Sequence, residues 1–314
     1  MNKLLVAALI TGALSAPAFA ADYSIVAPAG PGGGWDQTAR TMQEALTTEG
    51  ISGNVQVTNV PGAGGTIGLA QFVNQENGNP NALIVGGYVM VGAILTNVSP
   101  VSLADVTPIA RLTGEAVGVV VPASSDIQTM DDLVARLKDN TGAVSWAGGS
   151  AGGADHITAG LIAKAIGVDP TQVNYIAYSG GGEALAAILG GQVTVGVSGV
   201  SEFASQIEAG ELRLLAVSTD TRVPGFDAPT LQEAGVDTAV QNWRMVAAAP
   251  GLTDDQVAAI TADIKAMAES DTWQTALETR GWVDSYLDGE AFEAQLEADT
   301  SATEAILRDI GLVE

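Results

Sequence analysis

The chain has 314 residues, of which 47% are hydrophobic and only 15% are charged, so its composition is that of a folded globular protein. Lysine and arginine number 12 against 36 aspartate and glutamate residues, which gives a formal net charge of −24. This acidic balance excludes a conventional nucleic-acid-binding protein, because phosphate recognition depends on basic side chains. It also disfavours docking onto an anionic membrane surface.

The N-terminal segment has the pattern of a secretory signal peptide. Lys3 precedes an apolar run over residues 4–14, and Ala18-Phe19-Ala20 forms a small-residue cleavage site. The run is too short for a membrane span, which needs about 20 residues. We therefore expect residues 1–20 to be a signal peptide cleaved near Ala20, rather than a buried core helix.

The sequence contains no cysteine. This excludes disulfides, thiolate zinc sites, a cysteine nucleophile and a lipid anchor on cysteine. An exported chain without such an anchor suits the periplasm of a double-membraned bacterium, which is the location we predict.

Apolar runs of strand length alternate with helical patterns along most of the chain. The strand-like runs cover residues 23–27, 55–59, 83–85, 117–121, 144–147, 173–178, 193–197, 212–217 and 243–249. Helix starts near the C-terminus are marked by Thr253-x-x-Gln256 and by Asp288. This rhythm predicts an α/β fold with mostly parallel sheets, arranged as two lobes.

Four glycine-rich loops lie between predicted strands and helices. They are residues 28–36, 59–66, 148–153 and 179–182. A single such loop is more often a tight turn, but four at equivalent junctions favour a small anion held by main-chain N–H groups at helix N-termini. None matches G-x-G-x-x-G, and none ends in Gly-Lys-Ser/Thr, so no nucleotide motif is present.

Enzyme signatures are weak. His156, the one histidine, has Ser150 nearby, but no G-x-S-x-G nucleophile motif is present and one histidine supplies too few ligands for usual zinc sites. Its place at a predicted helix N-terminus should lower its pKa. Ligand contact, a structural role and catalysis all remain open for His156. Asp36 and Asp155 suit helix capping.

Three tyrosines and one arginine each allow two interpretations. Tyr88, Tyr175 and Tyr178 suit either a cleft wall or the core. Arg244, beside Trp243, suits either an acid ligand or a salt bridge.

Several segments together resemble the periplasmic substrate-binding proteins of tripartite tricarboxylate transporters, the TctC-like or Bug family. The resemblance covers nearly all of the chain after the signal. Its segments include APAGPGGGWDQTAR, VTNVPGAGGTIG, GGSAGGADHITAGLIAKAIG, NYIAYSGGGEALAAILGGQVTVGVSG and NWRMVAAAPGL. SAGGADH and NWR look closer to the tricarboxylate-binding branch.

The resemblance implies a two-lobed Venus-flytrap fold with the ligand between the lobes. It places the first lobe at residues 21–118, the second at 119–222, and a return crossing with C-terminal helices at 223–314. The ligand-binding residues carried over are Ala29, Gly30, Gly32, Gly33, Gly34, Ala63, Gly64, Gly65, Thr66, Ser150, Ala151, Gly152, Asp155, His156, Ser179, Gly180 and Ser198. No metal or cofactor is implied.

The implied function is capture of a small, citrate-like carboxylate by lobe closure, without chemistry, and delivery to the membrane components of a tripartite tricarboxylate transporter. We expect a monomer. Alternatives are a sensor-kinase receptor for a dicarboxylate or aromatic acid, and an exported hydrolase or lyase. Ala154 replaces a common serine or threonine, and Asp155 would repel ionised citrate if it faced the ligand.

Overall fold

The computed structural model describes residues 21–178 and 181–314. The predicted signal peptide at residues 1–20, and the predicted ligand residues Ser179 and Gly180, lie outside the described residues.

Three strand–helix units begin the described chain. They are β1 (Ala21–Ala27), α1 (Gly34–Thr48), β2 (Ser52–Asn59), α2 (Thr66–Gln75), β3 (Ala82–Gly87) and α3 (Tyr88–Thr96). The strands pair in parallel in the order β2-β1-β3, as the βαβ rhythm predicts. Helix α3, with the sequence YVMVGAILT, was not predicted, because it is apolar on most sides and so shows no helical periodicity.

The middle of the chain continues the alternation. A long strand, β4 (Thr107–Pro122), precedes α4 (Met130–Asn140), β5 (Ser145–Gly148), α5 (Ala154–Ala165), β6 (Asn174–Ala177), α6 (Gly181–Leu189), β7 (Val195–Gly199), α7 (Val200–Glu208) and β8 (Leu212–Val217). Strand β5 pairs in parallel with both β6 and β7.

The C-terminal part contains β9 (Gln241–Ala248), α8 (Asp254–Ala268), α9 (Asp271–Arg280), β10 (Val283–Asp288) and α10 (Gly289–Asp309). The predicted start of α8 is confirmed by a capping box between Thr253 and Gln256. Within the described residues, no helix has the length and apolar character needed to cross a membrane.

All ten strands join one sheet with the order β2-β1-β3-β9-β4-β7-β5-β6, and β8 and β10 also pair with β4. The ladders that involve β4 or β9 are antiparallel. The α/β fold is confirmed, with parallel βαβ regions at both ends of the sheet.

Strand β4 belongs to both ends of the sheet. Its residues 107–116 pair with β9, whereas residues 117–122 pair with β7 and β8. We call the sheet with β1, β2, β3, β9 and β10 the first half, and the sheet with β5, β6, β7 and β8 the second half. The Ser218 hydroxyl donates to Val240 O at 2.6 Å and accepts from Val117 N at 2.9 Å, so the returning chain is bound to β4 where its pairing changes. The predicted lobe boundaries at residues 118 and 222 stay a prediction.

The C-terminal helix contacts both halves. Helix α10 packs against α3, and beyond its end Ile310 lies against Gly160 of α5. Lys164 of α5 and Asp309 of α10 form an exposed ion pair at 2.6 Å. Helix α10 therefore does not belong to one end of the sheet alone.

Candidate functional site

A cavity of about 80 Å³ lies where the glycine-rich loops of the two halves meet. The volume is enough for several water molecules, since one buried water needs roughly 10–15 Å³. The first half lines it with Pro28, Ala29, Gly33, Gly34, Trp35, Gly64, Val89, Asn242 and Arg244. The second half lines it with Gly149, Ser150, Asp155, Gly181, Ser198 and Glu202.

The first loop presents the N-terminus of α1 to the cavity. Gly33 is the N-cap residue and makes no side-chain cap, so it does not compete for the first amide groups of the helix. A Cβ at Gly34 would lie 2.5 Å from Nη2 of Arg244, so any other residue there would displace the guanidinium. Main-chain N–H groups at such a helix end are suited to bind an anion.

Asp36 holds the first loop in shape. Its carboxylate accepts from Gly32 N at 2.8 Å and from Asn59 Nδ2 at 2.9 Å, and it pairs with Arg40. Burial alone would raise the pKa of Asp36, but these bonds outweigh it and lower the pKa. Asp36 was predicted to cap its own helix. It instead bonds the loop that precedes the helix, because its side chain turns back towards Gly32.

The second loop brings the two halves into close contact. Gly64 has φ +61° and Gly65 has φ +90°, conformations that favour glycine. A Cβ at Gly64 would lie 2.3 Å from Cβ of Ala93 and 3.4 Å from Cβ of Ser150 in the second half. Gly64 can therefore contribute only its main chain where the two halves meet.

The third loop is bonded by Asp155 and Tyr175. Asp155 accepts from Gly149 N at 2.7 Å, and the Tyr175 hydroxyl donates to Gly149 O at 2.7 Å. Burial raises the pKa of Asp155 to about 6, although hydrogen bonds from Gly149 and Ser198 act against this. Asp155 lines the cavity while bonding the loop instead of capping its own helix.

His156 lies behind the cavity wall. Its Nδ1 accepts from Gly152 N at 3.3 Å, and its ring stacks on Tyr175 with centroids 4.0 Å apart. Burial lowers the pKa of His156 to about 4. The direction matches the sequence prediction, but burial rather than the helix terminus causes it. The ring is neutral at pH 7 and acts as a hydrogen-bond acceptor.

Arg244 and Glu115 form a buried ion pair, with exposed fractions of 1% and 0%. The other carboxylate oxygen of Glu115 accepts from Ser201 N at 2.9 Å. The Arg244 guanidinium also lies 4.8 Å from the Trp282 ring centroid. Arg244 therefore makes a salt bridge, one of the two predicted alternatives, and also lines the cavity.

Glu202 and Asn242 are polar cavity residues that were not predicted. Oε2 of Glu202 and Oδ1 of Asn242 are buried without hydrogen-bond partners. Burial raises the pKa of Glu202 to about 8, and the charges of Glu115 and Asp155 add to this. Glu202 occupies the first turn of α7, where a glutamate is ordinary in sequence, so no local signal marked it.

The cavity brings together some of the predicted ligand residues. Those on its lining are Ala29, Gly33, Gly34, Gly64, Ser150, Asp155 and Ser198. Those off its lining are Gly30, Gly32, Ala63, Gly65, Thr66, Ala151, Gly152 and His156. None of Tyr88, Tyr175 and Tyr178 lines it. Ligand contact by these residues stays a prediction.

Acidic residues of the cavity wall are not arranged as a metal site. Across residues 21–178 and 181–314, no group of three or more His, Asp or Glu side chains is placed to hold a metal ion.

Comparisons with known proteins identify the family. The family described as "Tripartite tricarboxylate transporter family receptor" matches residues 38–312. A "UPF0065 protein in gbd 5'region" of Cupriavidus necator is 30% identical over 265 residues, which cover 83% of this chain and 79% of that protein. A relative from Agrobacterium vitis, 26% identical, is matched over only 63% of its length.

Solved structures show the same fold. The periplasmic binding protein BugD superposes with a TM-score of 0.83 at 22% identity, covering 93% of this chain and 98% of that one. MatC of Rhodopseudomonas palustris with bound malate gives a TM-score of 0.73 at 22% identity, covering 95% and 100%. The chain belongs to the tripartite tricarboxylate transporter receptor family, also known from its Bug proteins, and is a periplasmic-type solute-binding protein.

Proposed function

We propose that this member of the tripartite tricarboxylate transporter receptor family captures a small carboxylate in the cavity between its two sheet halves. The observation that carries the proposal is the uncapped N-terminus of α1, which faces the cavity beside Gly34 and Arg244. Amide groups at this helix end suit a carboxylate without needing an uncommitted basic side chain. A relative of the same fold holds malate.

Capture depends on closure of two lobes, residues 21–118 and 119–222, about the crossing strands. Contacts across the cavity support this movement. Thr96 of α3 donates to Ala151 O at 3.4 Å, and a Cβ at Gly92 would lie 1.9 Å from Gly152 O. The ligand supplies the differential affinity that favours the closed state.

The closed protein then delivers its ligand to the membrane components of a tripartite tricarboxylate transporter. We infer a periplasmic monomer, released from its signal peptide near Ala20, without catalytic activity. His156 lies off the cavity lining and bonds Gly152, which supports binding rather than catalysis by a serine–histidine pair.

Thermal denaturation and calorimetry with a ligand panel test the proposal. The panel contains citrate, malate, adipate, benzoate and amino acids, and citrate is included because the SAGGADH and NWR segments resemble the tricarboxylate-binding branch. At least one compound should raise the melting temperature and release binding heat without being turned over. A panel with no shift and no heat would contradict carboxylate capture, and turnover would favour a hydrolase or lyase.

A sensor-kinase receptor uses the same closure. Co-purification of the ligand-loaded protein with membrane proteins distinguishes the two functions. A transport receptor should retain permease components, whereas a sensor receptor should retain a kinase.

A further inference from the structure

The cavity wall around Glu202, Asp155 and Asn242 has polar groups that carboxylate capture alone leaves unexplained. Resting on the proposed capture, we propose that the ligand bears an ammonium group as well as its carboxylate, and that Glu202, Asn242 and Asp155 receive the ammonium. The ligand class is then an amino acid in the broad sense, with zero or low net charge, rather than a citrate-like polyanion.

Hydrogen-bonding capacity is the first support. Oε2 of Glu202 and Oδ1 of Asn242 are both buried without a partner, and both residues line the cavity. Asn242 is only 8% exposed. An amide oxygen is an acceptor, as is the oxygen of an ionised carboxylate, and a buried acceptor without a donor destabilises the empty site. A second carboxylate has no proton to give, whereas an ammonium has three N–H donors.

Charge is the second support. Arg244 is the only cationic side chain among the described lining residues, and it is already engaged by Glu115. Asp155 and Glu202 have no cationic partner of their own on this wall. A ligand carboxylate placed there would meet the negative charge of Asp155, and of Glu202 where it is ionised, in a poorly solvated space, whereas an ammonium would be attracted.

The backbone around Glu202 shows that its position is built into the fold. Glu202 lies in the first turn of α7, and a Cβ at Gly181 would lie 1.6 Å from its Oε2. Any other residue at 181 would displace the carboxyl. The Ser198 hydroxyl contacts both Asp155 and Glu202, which ties the two acids into one wall.

A rival state of the same wall predicts the opposite preference. Burial raises the pKa of Glu202 to about 8, so the free protein can hold Glu202 as a neutral acid at pH 7. A neutral Glu202 could donate its proton to a second ligand carboxylate. Diacids would then bind best, whereas in our proposal an arriving ammonium ionises Glu202 and releases a proton.

Calorimetry with ligands of equal length separates the two states. Succinate, 4-hydroxybutyrate and 4-aminobutyrate have chains of equal length and differ only in the group at one end. Glutarate and 5-aminopentanoate form a second such set. Succinate, malate and aspartate test a hydroxyl or an ammonium group at the α-position. We expect the ammonium member of a set to bind at least tenfold tighter than its diacid, with proton release seen as a buffer-dependent heat. Tighter binding of succinate, glutarate or citrate would overturn the ammonium proposal and leave carboxylate capture intact. No binding by any compound here or in the wider panel would contradict carboxylate capture itself.

A variant pair tests Glu202 directly. Glu202→Gln keeps the shape and removes the charge, and Glu208→Gln, at an exposed position of the same helix, is the control. Glu202→Gln should narrow the ammonium-to-diacid affinity ratio by about tenfold, and Glu208→Gln should leave it unchanged. An unchanged ratio in a folded Glu202→Gln protein, checked by circular dichroism, would overturn the assignment of Glu202.

Discussion

Arg244 and Glu115 form a buried ion pair at the junction between the two halves of the sheet. Arg244 is on β9 and Glu115 on β4, two residues before the point at which β4 changes its pairing partners. The second oxygen of Glu115 accepts from Ser201 N at the start of α7. One carboxylate therefore connects a cavity-lining arginine of the first half to a helix of the second.

Breaking this pair should destabilise the protein strongly. Arg244→Met leaves Glu115 buried without its partner, which typically costs about 3–5 kcal/mol. Urea unfolding should show this loss, and the double variant Arg244→Met with Glu115→Gln should recover part of it. A single variant within about 1 kcal/mol of the original would mean that the pair contributes little.

Gly34→Ala should weaken ligand binding. The new Cβ would lie 2.5 Å from Nη2 of Arg244, so the guanidinium must move away from the N-terminus of α1. We expect an affinity loss on the order of tenfold, or ~1.4 kcal/mol, by calorimetry. Gly30→Ala, in the same loop with nothing within 4 Å of the new Cβ, is the matched control. Equal effects of the two variants would show that loop rigidity, not Arg244, controls affinity.

Gly92→Ala should hinder closure. Its Cβ would lie 1.9 Å from Gly152 O, a main-chain atom that cannot yield without movement of the whole loop. Small-angle scattering with saturating ligand should give a larger radius of gyration than for the original protein. Gly142→Ala, whose new Cβ meets nothing nearer than 3.8 Å, should compact normally. A normally compact Gly92→Ala protein would argue against closure through this contact.

Glu202→Gln should stabilise the ligand-free protein increasingly as the pH rises. Burial raises the pKa of Glu202 from 4.5 to about 8, so the folded state retains a proton that the unfolded state has released. Between these pH values the contribution of Glu202 to stability falls as pH rises. The difference in melting temperature between variant and original should grow from pH 5 to pH 8. A difference that is constant over this range would contradict the raised pKa.

His156 should contribute pH dependence of the opposite sign. Burial lowers its pKa from 6.5 to about 4, so between these values the unfolded state binds a proton that the folded state does not. Its contribution is fully present above pH 6.5 and is lost as the pH falls towards 4. The stability advantage of the original protein over His156→Phe should shrink across that window in acid denaturation. An advantage that persists at pH 4 would mean that the ring tolerates its charge.

The fold class and the cavity loops could be predicted because their signals are local. Short apolar runs mark buried strands, the helical periodicity marks helices, and glycine clusters mark turns at which main-chain amides are accessible. Gly33, Gly34 and Gly64 were predicted on this basis and line the cavity. Helix α3 escaped prediction because its residues are apolar on most sides and show no periodicity.

The amino-acid sequence by itself determined the α/β alternation, the glycine loops and the family. Only the tertiary structure decided the chemistry of the cavity wall. Glu115 and Arg244 are 129 positions apart, and Glu202 and Asn242 reach the cavity from different halves of the sheet. Burial, ion pairing and unsatisfied hydrogen bonds depend on which distant residues the fold places together. Local sequence patterns do not predict that placement.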